Sequence, residues 1–218
     1  MAEHQLRRGE AVISITDVTM AYVDQFLPED EVLITTRRNA ADVGGAAPVS
    51  PVTGGTLRFI AAAMGARAVV EIGTGCGTSG IWLLRGMRPG GVLTSVDVEP
   101  EHQRLARAAF LAAGFASSRY RLIGGLALEV LPRLADGAYD MVFCDADPQE
   151  DPDYLTAALR LLRPGGILVF DDALGSEHGP DVSAATTELR EQVRADDRLV
   201  PLLLPIGHGL LTAVKRPE

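Results

Sequence analysis

The sequence predicts one α/β domain: a doubly wound, mostly parallel seven-stranded sheet of Rossmann-like type, helices on both faces and an antiparallel last strand. Three observations carry that prediction. From residue 68 onward short, continuous apolar runs alternate with amphipathic stretches, the pattern of strands buried on both faces and joined by helical crossovers. One apolar run ends in a glycine-rich turn, Glu71-Ile72-Gly73-Thr74-Gly75-Cys76-Gly77, before a helical stretch begins. The last two runs are separated only by Ile206-Gly207-His208-Gly209, too short for a parallel crossover, so they form a hairpin.

Taken in order, residues 21–26 and 52–63 read as helical elements around a polar, Gly- and Pro-containing stretch at 37–52. This first part reads as a cap over the carboxyl edge of the sheet, residues 1–46 forming the cap and 47–218 the ligand-binding domain. Strands are expected at 68–72, 92–96, 121–123, 139–144, 167–170, 200–205 and 210–214. Amphipathic helices are expected at 101–113 and 154–162, the second stopped by Arg163-Pro164-Gly165-Gly166.

Composition narrows the function classes. At 218 residues, 47% hydrophobic and 22% charged, the chain suits a single well-cored globular domain. No apolar run has the length of a membrane span, and residues 1–10 are too polar for a signal-peptide core. Two cysteines, Cys76 and Cys144, imply no disulfide framework and fit a reducing, cytoplasmic compartment. A net charge of −9 lacks the positive footprint that displaces counterions from nucleic acid. A small neutral or cationic substrate fits better.

The glycine-rich turn carries the chemistry. Glycines let the backbone turn sharply and approach a ligand, and the helix that follows offers free N–H groups. Some twenty residues later Val96-Asp97 ends the next strand, where a carboxylate can accept both hydroxyls of a ribose. A dinucleotide fingerprint would require its third glycine at Thr78; the spacing here is Gly73-x-Gly75-x-Gly77, preceded by Glu71. An acid so placed repels a pyrophosphate but tolerates the ammonium and sulfonium of S-adenosylmethionine, which is therefore favoured over NAD.

Further motifs extend the pattern. They are Ser95-Val96-Asp97-Val98, Tyr139-Asp140-Met141-Val142-Phe143-Cys144-Asp145-Ala146-Asp147, the run from Leu162 to Leu174 with Asp171-Asp172, and Leu204-Pro205-Ile206-Gly207. Together with the glycine turn, the sequence over 47–215 resembles the metal-dependent O-methyltransferases of the catechol and caffeoyl-CoA type. It is most like an actinobacterial branch in which Pro also follows Asp-Ala-Asp. The resemblance implies methyl transfer from S-adenosylmethionine to a small hydroxylated, catechol-like or phenolic acceptor. It implies that Glu71, Gly73 and Ser79 line the methionine half of the cofactor, with Val49 at its edge. Asp97 would hold the ribose, Gly125 and Ala127 would border the adenine, and Thr74, Gly75, Val98 and Asp145 would complete the cofactor site. Asp145 and Asp171 would be catalytic and, with Asp172 where the family usually has Asn, would hold Mg²⁺ or a related divalent cation. It also implies a homodimer, with the apolar N-terminal segments as interface.

Taken singly, each aspartate is as readily a strand-end turn or helix cap. Clustered, three carboxylates cannot all stay ionised without a cation or a bound proton. Pro148 departs from the family, which has a lysine there that helps deprotonate the acceptor; proline carries no proton-transfer group. His178 and His208 are the other candidate bases. The departure motivates a second expectation, a cofactor-binding protein with metal-independent or no efficient methyl transfer.

Overall fold

The computed structural model describes residue 22, residues 25–175 and residues 183–217. The helical element expected at 21–26 lies largely outside the described residues, as do His178 and most of the loop before Ser183.

Seven strands form one sheet in the order β3-β2-β1-β4-β5-β7-β6. They are β1 (Ala68–Ile72), β2 (Val92–Asp97), β3 (Tyr120–Gly124), β4 (Tyr139–Cys144), β5 (Leu162–Phe170), β6 (Leu199–Leu204) and β7 (Leu210–Lys215). The first five pair in parallel, and β7 runs antiparallel to both neighbours. The expected architecture and terminal hairpin are therefore both present.

Alternation along each strand explains why the sheet is covered on two sides. In β4, Met141 and Phe143 join one apolar cluster with Leu57, Ile81 and Phe110, while Val142 and Cys144 join another with Leu155, Leu189 and Val193. Each enclosed Leu, Ile or Phe contributes about 1.5–3 kcal/mol relative to exposure. The first cluster belongs to α2 (Pro51–Ala63), α3 (Thr78–Gly86) and α4 (Pro100–Ala112); the second to α6 (Asp151–Leu161) and α7 (Ala184–Ala195). A one-turn α5 (Ala127–Val130) follows β3.

Two readings are corrected. The stretch from residue 37 does not begin a loop, because α1 (Glu31–Asp42) continues through it. Asp30 caps this helix by accepting from Leu33 N at 3.1 Å, and Leu33, Thr36 and Ala40 form its buried stripe. Nor does the fifth strand wait until residue 167 to begin, although the preceding helix stops where expected. The helix before it ends at Leu161, and β5 begins at Leu162 and runs through Arg163-Pro164-Gly165-Gly166 with a register irregularity opposite Tyr139 and Met141. Lys215 Nζ donates to the carbonyls of Leu159 and Leu162, both at 2.8 Å, which satisfies the end of α6 without a glycine cap.

Candidate active site

The sheet reverses its winding between β1 and β4, and open α/β folds bind ligands at the carboxyl ends of such strands. A cavity of about 450 Å³ opens there. Its floor is the turn after β1. Gly73, Gly75 and Gly77 all have positive φ, at 93°, 47° and 95°. At Gly73 a side chain is sterically barred, since a Cβ would stand 1.9 Å from the carbonyl oxygen of Asp145. The close approach of β1 and β4 that brings Asp145 into the site therefore depends on that glycine. Gly77 caps α3 without a side chain, leaving backbone donors at the helix start.

Asp97 ends β2 with its carboxylate fixed by backbone donors. Gly75 N gives a hydrogen bond to Oδ2 at 2.8 Å and Glu99 N to Oδ1 at 2.9 Å. The opposite border is built by Gly125, whose N–H holds the Asp97 carbonyl at 3.0 Å, and by Ala127 at the start of α5. Val49, Thr74, Gly75, Ser79, Val98, Gly125, Ala127 and Asp145 all line the cavity.

Glu71 does not line it. The strand's alternation points Glu71 beneath α3, where it is fully buried. Its Oε1 accepts from Ser79 Oγ at 2.7 Å and Oε2 from Ser95 Oγ at 2.6 Å. Burial pushes its carboxyl up to about 7, with the Asp97 charge in the same direction and the two serine hydrogen bonds opposing. Glu71 thus supports the site through Ser79 and through Ser95, which also bonds Thr74 Oγ1 at 2.6 Å.

Asp145 follows β4, its N–H bonded to Ile72 O at 2.8 Å, and Asp171 follows β5, its N–H bonded to Cys144 O at 3.0 Å. These ladder extensions bring both carboxylates to one edge. Burial raises the Asp145 carboxyl well above the carboxylate range, and the charges of Asp171, Asp172, Glu71 and Asp151 add to it. Burial likewise pushes Asp171 up to about 6, the Asp172 N–H and His208 opposing and the Asp172 charge reinforcing. Asp172 lines the cavity in a left-handed backbone conformation (φ 55°), and His208 Nδ1 stands 3.1 Å from its Oδ1. Asp171 is not among the cavity-lining residues.

Among the described residues, no three His, Cys, Asp or Glu side chains converge as a metal-binding group. The donor chemistry nonetheless fits a hard divalent cation. The groups are all carboxylates whose charges repel one another. For the cofactor the fit rests on Thr78. Its hydroxyl is buried without a hydrogen-bond partner, and it lines the cavity at the start of α3, where a ligand carboxylate would be received.

Sequence reasoning missed several lining residues: Thr78, His102, Leu126, Glu150 and Tyr154. His102 and Tyr154 lie on amphipathic helices, where each reads as an ordinary core position. Glu150 and Tyr154 are hydrogen-bonded to each other, the phenol donating. The turn at Pro148–Glu150 that presents Glu150 is capped by Asp147, which accepts from Gln149 N at 2.9 Å.

Fold and site together place a cavity at the carboxyl edge of a doubly wound sheet, and comparison with known proteins specifies the class. An O-methyltransferase family model matches residues 21–216. An inferred O-methyltransferase of Mycolicibacterium vanbaalenii is 47% identical over 215 residues, covering 96% of this chain and 92% of that one. Among solved structures, a Corynebacterium glutamicum protein superposes with a TM-score of 0.83 at 31% identity, covering 92% of this chain and 97% of its own. An O-methyltransferase from Bacillus cereus in complex with S-adenosylhomocysteine gives 0.81 at 29%, covering 91% and 97%. The chain belongs to this O-methyltransferase family and is an enzyme of the methyl-transferring class.

Proposed function

We propose that this enzyme transfers the methyl group of S-adenosylmethionine to a hydroxyl oxygen of a small catechol-like or phenolic acceptor, with a divalent cation held by Asp145 and Asp171. One observation carries the reading. A single cavity has a backbone-fixed Asp97 on one wall and Asp145, backed by Asp171, on another, joined by the Gly73–Gly77 turn.

The chain's own groups divide the work. Asp97 accepts the ribose hydroxyls, while Gly125 and Ala127 border the adenine. Thr78, Ser79 and the N-terminus of α3 receive the methionine carboxylate, and Asp145 faces its ammonium. Catalysis is then chiefly positioning: the acceptor oxygen forms a bond to the methyl carbon as the carbon–sulfur bond breaks in line. A cation at Asp145 and Asp171 would supply the charge that lowers the acceptor hydroxyl's pKa. Asp172 is turned to His208, so its contribution to the cation is the weaker one. With Pro148 in place of the family's lysine, proton removal falls to solvent or to the carboxylates at the acceptor end, of which Glu150 is one.

Supporting parts of the reading are that residues 1–46 form a cap and dimerisation segment on the methyltransferase domain of residues 47–218. The enzyme works in the cytoplasm as a homodimer, and no helix among the described residues is long and apolar enough to cross a membrane.

The test is methyl transfer from radiolabelled S-adenosylmethionine to a panel of catechols and phenols, with Mg²⁺ and after exhaustive chelation. Turnover that needs the cation supports the reading. Turnover that survives chelation overturns the metal assignment. Cofactor binding without turnover on any acceptor leaves a cofactor-binding protein, the alternative that Pro148 favours.

A further inference from the structure

We infer that His102 is a positioning residue for the cofactor's ribose, holding the Asp97 carboxylate and tying it to the segment that covers the site. This deepens the proposed function and rests on its assignment of Asp97 to the ribose.

His102 stands in the first turn of α4 and is 5% exposed, yet it lines the cofactor cavity. Its Nδ1 lies 3.4 Å from Asp97 Oδ2, and its Nε2 lies 3.4 Å from the carbonyl oxygen of Gly44. The Nε2 contact is a long hydrogen bond and the Nδ1 contact a close approach without hydrogen-bond geometry, so each is individually weak. Their placement is what matters. Asp97 lines the cavity from the end of β2, whereas Gly44 follows α1 and leads into residues 45–49, which line it from the N-terminal part of the chain. One enclosed ring therefore touches both lining segments at once.

The chemistry of the two partners separates this arrangement from core filling. A carboxylate and a carbonyl are both acceptors, so the ring can offer its N–H to one of them and set its polar edge beside the other, and a phenyl ring of similar size could do neither. Backbone donors already fix Asp97 on each oxygen, from Gly75 to Oδ2 and from Glu99 to Oδ1. The ring packed 3.4 Å from Oδ2 leaves Oδ1 as the more open oxygen and limits the space in which the carboxylate can rotate. A carboxylate that grips two vicinal hydroxyls gains from that restriction, because the bidentate geometry is prepaid. The interaction is also local to the ribose: nothing in it touches the methionine end, where the reaction occurs.

The experiment is calorimetric titration of wild type, His102→Phe and His102→Gln with S-adenosylhomocysteine and with its analogue lacking both ribose hydroxyls. KM for S-adenosylmethionine and kcat are measured alongside, and thermal unfolding reports folding. The expected result is that His102→Phe weakens S-adenosylhomocysteine about tenfold while changing the analogue's affinity less than twofold. His102→Gln, which keeps a donor, regains part of the loss. KM for the cofactor rises with kcat little changed at saturation. If His102→Phe weakens both ligands equally, or neither, the residue is a core filler and the inference falls. Should the Phe variant not fold, the Gln variant carries the same comparison, and equal loss for both ligands again overturns it. A wild type that binds the two ligands equally well overturns the ribose assignment of Asp97 itself, a different failure from the one confined to His102.

Discussion

Glu71 shows how a residue expected at the ligand comes to act one layer behind it. Strand alternation sends its side chain under α3, and two serines take up its oxygens. The energetic consequence can be measured. Burial holds its carboxyl at about 7, against an ordinary 4.5. In the unfolded chain the proton leaves above pH 4.5, whereas the folded protein retains it, so the native state binds more protons across that interval. Its contribution to stability is therefore greatest below pH 4.5, falls as pH rises to about 7 and is level beyond it. At about 1.4 kcal/mol per pH unit, the fall is roughly 3 kcal/mol. Asp151, also pushed up to about 7 by burial and by the charges of Asp147 and Asp172, adds a decline of the same sign. The informative comparison is thus wild type against Glu71→Gln, with urea midpoints measured from pH 4.5 to 8. The Gln variant is expected to lose much less stability over that range; parallel curves would show that Glu71 ionises freely in the fold. The glycine turn, Asp97 and Asp145 were legible in the sequence because a positive φ and a strand-end carboxylate leave clear residue signatures. The direction of Glu71 was not, because adjacent strand positions face opposite sides and only the register decides which faces the ligand.

At the scale of elements, α1 works through what its side chains hold. Arg37 projects from it, pairs with Glu29 at 2.5 Å, and donates to the carbonyls of Pro48 (3.3 Å) and Val49 (2.5 Å). The guanidinium is 24% exposed and Glu29 only 10%, so the pair is better shielded than an ordinary surface bridge. It pins the segment of residues 45–49 at the end opposite Gly44. Arg37→Ala should release that segment and weaken cofactor binding by about tenfold, roughly 1.4 kcal/mol, measured by calorimetry. Arg37→Lys should recover little, since an ammonium cannot reach two carbonyls and a carboxylate with a planar fork. Unchanged affinity in both variants would mean that Val49 is held by its own packing. The sequence showed every strand but β5 within a residue or two because their apolar runs are continuous. It concealed α1 because three buried positions on an otherwise polar helix give a faint period, and its capping Asp30 resembles any loop aspartate. It likewise concealed the start of β5, where Pro-Gly-Gly reads as a turn although the lateral pairing with β4 carries the chain on as strand.

For the whole molecule, the unexplained quantity is apolar surface. Tyr22, Phe26 and Phe59 are each at least 70% exposed, and aromatic residues are enriched in contact surfaces relative to the rest of a protein's exterior. At the far edge of the sheet, Val200, Leu202 and Leu203 are also exposed on β6. Pro201 in that strand lacks the N–H that an added strand would need, which argues against edge-to-edge pairing there. The aromatic residues of the N-terminal part and of α2 are thus the surface that the proposed homodimer would use. A self-complementary contact needs only one patch, repeated by two-fold symmetry. The chain of 23.1 kDa should accordingly sediment as a species of twice that mass. Phe59→Asp would place two buried charges at a symmetric interface for one substitution, and should shift the protein to the monomer at micromolar concentration. Because Phe59 is 72% exposed in the single chain, the substitution should leave the monomer's own fold intact, with thermal unfolding changed by no more than the loss of dimer linkage. Residues 45–49 cover the cofactor from the same N-terminal side, so the monomer should also bind S-adenosylhomocysteine more weakly if the second copy braces that cover. A variant that remains dimeric would move the interface to β6, and Leu202→Asp would then be the substitution that separates the copies.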